Sequence, residues 1–117
     1  MPTTYSGGCH CGAVRFEAVS DLETVIECNC SHCKAKGFLL TFVPPENFKL
    51  VSGEDDLTDY RFNTHKIGHV FCKTCGVQAF GRGETPSGVK MTAVNVRCLN
   101  DVDIGALTLT PVDGKSF

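Results

Sequence analysis

A chain of 117 residues and 12.6 kDa is sized for one compact domain, here 1–117, and a chain of this length buries roughly 65% of its unfolded surface. Its 42% apolar and 21% charged residues exclude disorder, and a net charge of -2 with no basic block argues against a nucleic-acid backbone as partner. No run approaches the ~18 apolar residues of a membrane span, and Met1–Gly8 has neither the basic nor the apolar region of a secretory signal, so a cytoplasmic location is expected.

In chain order, most segments read as short strands. Val14, Phe16 and Ala18 alternate with Arg15 and Glu17, the period of a half-buried strand. Strands are also predicted over 24–27, 38–43, 48–51, 58–62, 67–71, 77–80, 89–96 and 107–110. Pro44-Pro45 stops one of them, and Ser52 to Asp56 and Arg82 to Gly88 have the composition of turns or loops. No stretch of ten residues keeps a 3.6-residue apolar period, which limits helix to a turn or two. The fold class expected is mainly β, with metal knuckles at the turns.

The eight cysteines carry the chemistry. In a reducing compartment, clustered thiols serve as metal ligands rather than disulfides. Seven fall in three clusters: Cys9-His10-Cys11, Cys28-Asn29-Cys30-Ser31-His32-Cys33 and Cys72-Lys73-Thr74-Cys75. In an extended segment Cys9 and Cys11 face the same way, and Cys72 and Cys75 have the two-residue gap of a zinc knuckle. Gly12 and Gly76 follow the two pairs directly and permit a positive φ that brings backbone N–H groups to the sulfurs. This shared ending suggests one closed four-sulfur site from Cys9, Cys11, Cys72 and Cys75, a staple between distant parts of the chain.

Cys28, Cys30 and Cys33 are then left as a three-sulfur set, and a zinc with three protein ligands keeps its fourth position for water or substrate. Cys98 stands outside the clusters. It is a candidate to close that fourth position, or a buried thiol in the strand-like run from Val94 to Leu99. His32, His65 and His69 read as structural or surface residues before they read as ligands. Lys34 and Lys36 follow the third sulfur in a stretch free of Asp and Glu, where they can balance thiolate charge, attract an anionic ligand, or simply solubilise a loop.

The motifs Gly7-Gly8-Cys9-His10-Cys11-Gly12-Ala13-Val14-Arg15-Phe16, Cys28-Asn29-Cys30-Ser31-His32-Cys33 and Phe71-Cys72-Lys73-Thr74-Cys75-Gly76 together resemble the glutathione-dependent formaldehyde-activating enzyme family. Ala93-Val94-Asn95-Val96-Arg97-Cys98-Leu99 with Asp103 resembles a further family stretch, so the likeness runs from about residue 7 to 104. The resemblance implies a β-tent of short antiparallel strands and two zincs per chain. Cys9, Cys11, Cys72 and Cys75 would hold the structural ion; Cys28, Cys30 and Cys33 would hold the functional, catalytic one. The implied activity is carbon–sulfur lyase chemistry that joins glutathione, as co-substrate, to formaldehyde as S-hydroxymethylglutathione. Lys34 and Lys36 would meet the charge of glutathione. The partners are a small thiol and an aldehyde, with neither nucleic acid nor membrane involved. The alternative is a non-catalytic zinc β-tent module that carries glutathione or binds a protein.

Overall fold

The computed structural model describes residues 3–28, 31–60, 68–84 and 88–112. The expectation of a mainly β protein built of small sheets holds. Strands β1 (Thr3–Gly8), β2 (Arg15–Ser20) and β5 (Phe48–Ser52) form one antiparallel sheet in the order β1-β2-β5. A second sheet, ordered β10-β3-β4-β9-β8, contains β3 (Val25–Cys28), β4 (Leu40–Val43), β8 (Phe80–Glu84), β9 (Lys90–Asn95) and β10 (Leu109–Val112). Its β3–β10 pair is parallel, and its other pairs are antiparallel. Strands β6 (Leu57–Tyr60) and β7 (His69–Cys72) pair antiparallel by themselves. Helix α1 (Ser31–Lys36) is six residues long, within the one or two turns expected.

The alternation read in β2 appears as burial, with Phe16 and Ala18 inside and Arg15 and Glu17 outside. Phe16 meets Phe48 in a stacked contact at 5.2 Å and Phe80 edge-on at 6.3 Å, so the two larger sheets join through aromatic rings. Around these rings pack Val14, Val43, Val70, Ala79 and Val94, together with the buried cysteines Cys9 and Cys72. A second core gathers Leu22, Val25, Leu39 and Val96. The cysteine pairs at 9 and 72 are therefore anchored in the main core rather than hung from surface loops.

Several boundaries differ from the sequence reading for local reasons. Strand β1 was not foreseen, because Thr-Thr-Tyr-Ser-Gly-Gly shows no apolar alternation; a continuous six-pair register with β2 imposes it. Arg82 to Glu84 belong to β8 rather than to a loop, paired with Thr92, Met91 and Lys90. Their glycine-rich composition concealed the strand. Val77 to Ala79 precede β8 because their carbonyls serve other partners: Val77 accepts from Cys72 N, and Ala79 from Asn95 N. Val96 leaves β9 for a single 3₁₀ turn, Val96–Cys98, which the Asn95 side chain caps by accepting from Arg97 N. Residues 61, 62 and 67 of the expected strands lie outside the described residues.

Candidate metal centre and ligand site

The sulfurs of Cys9, Cys11, Cys72 and Cys75 all lie within 4.8 Å of one another. Cys9 and Cys11 approach to 3.6 Å, as do Cys11 and Cys72. A tetrahedral zinc with Zn–S bonds of about 2.3 Å needs sulfurs about 3.8 Å apart, so the cluster already has the spacing of a four-sulfur ion site. The structure brings together the two pairs that share a following glycine, although 60 residues intervene between Cys11 and Cys72.

Both turns are built alike. The N–H of Cys9 donates to the Val14 carbonyl at 3.0 Å, and the N–H of Cys72 donates to the Val77 carbonyl at 3.1 Å. Each first cysteine thus closes a turn on the residue five positions later. Gly12 and Gly76 have φ of +85° and +81°. That left-handed conformation is costly for any residue with a Cβ. It is also what swings the following amides inward. Val14 N donates to the Cys9 sulfur at 3.3 Å, Ala13 N to Cys11, and Val77 N to Cys75. One expectation needs correcting: Cys9 to Cys11 are not extended, since β1 ends at Gly8 and the pair sits in the turn.

These donors set the charge of the site. The N–H groups of Val77 and Cys11 hold the Cys75 thiol down at about 6. Those of Cys75 and Thr74 likewise hold Cys72 below its ordinary value. Against the Ala13 N–H, which pulls Cys11 down, partial burial of its sulfur and the neighbouring sulfurs of Cys9, Cys72 and Cys75 push that thiol up to about 12. Without a cation the cluster keeps a proton among its sulfurs; a divalent ion would replace it. An all-thiolate donor set of this spacing suits zinc.

Cys98 lies beside this cluster, packed on the main core, and its thiol faces the Gln78 carbonyl at 3.8 Å. Burial, then the charges of Cys9 and Cys75, push it up to about 11. It is a half-buried, protonated thiol, and a 3₁₀ turn replaces the strand expected around it.

The middle cluster is arranged differently. Cys28 ends β3 half-buried, Cys33 is buried on α1, and Cys30 lies outside the described residues. His32 and Lys36, one helical turn apart, share the face of α1 that packs on β7. The His32 ring lies 4.3 Å from that of His69 and 5.8 Å from Tyr60, while the Lys36 ammonium sits 5.4 Å over the Phe71 ring. Burial, reinforced by the Lys36 charge, holds the His32 imidazole below its ordinary range. His69 is thus a packing residue between the hairpin and α1, and His65 lies outside the described residues. Lys34 points away from this face, into a cleft with Glu27 and Arg97. The two lysines that the sequence groups together are separated by the helix.

The model of the glutathione-dependent formaldehyde-activating enzyme family matches residues 4–112. The chain belongs to this family. It is also similar to the crystal structure of a Rhodobacter sphaeroides protein, with 31% identity and a TM-score of 0.76 over 90% of this chain and 99% of that one. Family membership and the four-cysteine cluster together support a glutathione-related function of the family's type. Among the described residues, no helix is long and apolar enough to cross a membrane.

Proposed function

We propose that this family member is a cytoplasmic zinc-dependent carbon–sulfur lyase that interconverts glutathione plus formaldehyde with S-hydroxymethylglutathione, using two zinc ions per chain. The observation that supports this most directly is the closure of the Cys9–Cys11–Cys72–Cys75 cluster. It takes up four of the seven clustered thiols and leaves Cys28, Cys30 and Cys33 as the set we assign to a second ion. Cys9, Cys11, Cys72 and Cys75 hold the structural ion, and the three remaining cysteines hold the functional one.

Zinc bound by three thiolates supplies a position at which an added thiol is deprotonated near neutral pH. In the condensation, the glutathione sulfur adds to the formaldehyde carbon. The C–S bond forms, the carbonyl π pair moves to oxygen, and that oxygen takes up a proton, matching the one released by the thiol. The lyase direction runs the same steps backward. The chain's own task is to hold the thiol by its charged ends, and we assign part of it to Lys34, exposed next to Cys33.

Exchange NMR with glutathione and labelled formaldehyde tests the reading. Zinc-loaded protein is expected to accelerate formation and breakdown of the hydroxymethyl thioether in proportion to its concentration, and Cys30→Ser is expected to abolish that gain. Saturable glutathione binding without acceleration would sink the lyase reading and establish the carrier instead.

A further inference from the structure

Helix α1 separates the packed His32–Lys36 face from a cleft of about 490 Å³, a volume in the range that holds small molecules. Three charged residues line it: Glu27 from β3, Lys34 from α1 and Arg97 from the 3₁₀ turn after β9. All three are exposed, and among the described residues none pairs with an oppositely charged side chain. Two cations and an anion facing one space without pairing leave their charges available to a ligand. Phe38, Pro111 and Val112 give the same space an apolar lining.

Arg97 is held in place from two sides. Its backbone N–H is fixed by the Asn95 side chain at 3.1 Å, and its Nε donates to the Gly37 carbonyl at 2.9 Å. That leaves the two terminal guanidinium nitrogens, the fork that pairs with a carboxylate. The net charge of the lining, two cations against one anion, favours an acid group, while Glu27 provides a counter-charge for an ammonium group on the same ligand. The cleft also adjoins the middle cysteine cluster. Glu27 precedes Cys28, Lys34 follows Cys33, and Val112 is the β10 partner of Cys28.

We propose that this cleft binds an α-amino-carboxylate head group, its carboxylate between Arg97 and Lys34 and its ammonium against Glu27. Glutathione carries such a group at its γ-glutamyl end. The assignment of that end rests on the function proposed above, whereas the head-group chemistry of the cleft stands on the lining residues.

The test uses the full metal-loaded chain and calorimetry with S-methylglutathione, which keeps both ends of glutathione but has no ionisable thiol. Saturable binding is expected, weakened roughly tenfold or more in Lys34→Gln and in Arg97→Gln, with unchanged circular dichroism. Arg97→Lys, which keeps the charge and loses the fork, is expected to recover only part of it. The analogue lacking the α-amino group is expected to bind wild type more weakly but to bind Glu27→Gln as well as S-methylglutathione does. Absence of S-methylglutathione binding, or equal binding by wild type and the folded Lys34→Gln and Arg97→Gln variants, would overturn the proposal. Cobalt at the three-cysteine site separates the two readings. If glutathione leaves the cobalt spectrum unchanged while S-methylglutathione still binds, the thiol site fails and the cleft stands. A thiol-dependent spectral change with no effect of the cleft variants gives the reverse.

Discussion

The four-cysteine cluster and the Cys28–Cys33 segment use the same residue type in opposite ways. The first draws its sulfurs from two turns far apart in sequence, with Cys9 and Cys72 buried in the main core and backbone amides aimed at the sulfurs. Its job is to join pieces of the fold, and little of it is left for a ligand. The second is local, spanning the end of β3 and a six-residue helix, and lies beside a cleft whose charged residues have no charged partner among the described residues. A site that staples needs long sequence separation and saturated hydrogen bonding. A site that binds needs neither, but it needs unspent charge nearby. Sequence separation and local charge are therefore the features on which the two proposed roles divide.

The largest difference should appear on removing one ligand from each. Cys72→Ser is expected to abolish cooperative folding, because apparent binding energies of about 10–16 kcal/mol for structural zinc exceed what a domain this size keeps in reserve. Cys30→Ser is expected to melt cooperatively, with zinc content reduced by one ion per chain. Thermal melts followed by circular dichroism, with elemental analysis, check both. Equal damage from the two changes would erase the division of roles.

Acid should separate them next. Protons compete with the ion for sulfur, and a thiol held low resists that competition until the pH falls through its own value. Cys75, held at about 6, has no proton to give up to the ion above that pH, so acid is expected to draw zinc from the four-sulfur site later than from the three-cysteine set. The sign follows from Cys75 remaining a thiolate above this value and binding a proton beneath it. A chromophoric chelator added at stepwise pH reads the release. Loss of both ions together near pH 8 would show that the amide donors do not protect the cluster.

Much of this site was legible in the sequence because its signals are local and stereochemical. A glycine directly after a cysteine pair announces a positive φ, and both Gly12 and Gly76 adopt it. The joining of the two pairs could be read from that shared ending. By contrast, the sequence showed Lys34 and Lys36 as one basic patch, since neither periodicity nor charge reveals that β7 covers one side of so short a helix. The proposed ligand role of Arg97 is likewise invisible in the sequence. Only the 3₁₀ turn capped by Asn95 brings it to α1, and its signal in retrospect is an Asn two residues before the Arg. β1 was missed because its pairing partner, not its composition, makes it a strand.

A milder change tests the turns without removing a sulfur. A Cβ at residue 76 meets no atom within 4 Å, so Gly76→Ala costs only the left-handed backbone, about 1–2 kcal/mol. It is expected to lower the melting temperature by several degrees and to make zinc easier to extract from the four-sulfur site alone. The second zinc and S-methylglutathione binding should be unaffected.

The smallest expected effect lies between the two lysines. Lys36 sits over Phe71, so Lys36→Ala removes a cation–π contact worth about 0.5–1 kcal/mol and loosens the seat of α1 on β7. Lys34 has no such packing partner among the described residues and lines the cleft. Lys36→Ala is therefore expected to lower the melting temperature by a few degrees. Its affinity for S-methylglutathione should stay near wild type, with the salt dependence of binding unchanged. Lys34→Ala is expected to do the opposite: an unchanged melt, weaker binding and a shallower response to ionic strength, because one of the charges being screened is gone. Measuring both variants in the same melting and calorimetry series makes the comparison direct. If Lys36→Ala weakened ligand binding as much as Lys34→Ala while leaving the melt unmoved, the two lysines would be acting as one patch. The separation of α1 into a packed face and a binding face would then be wrong.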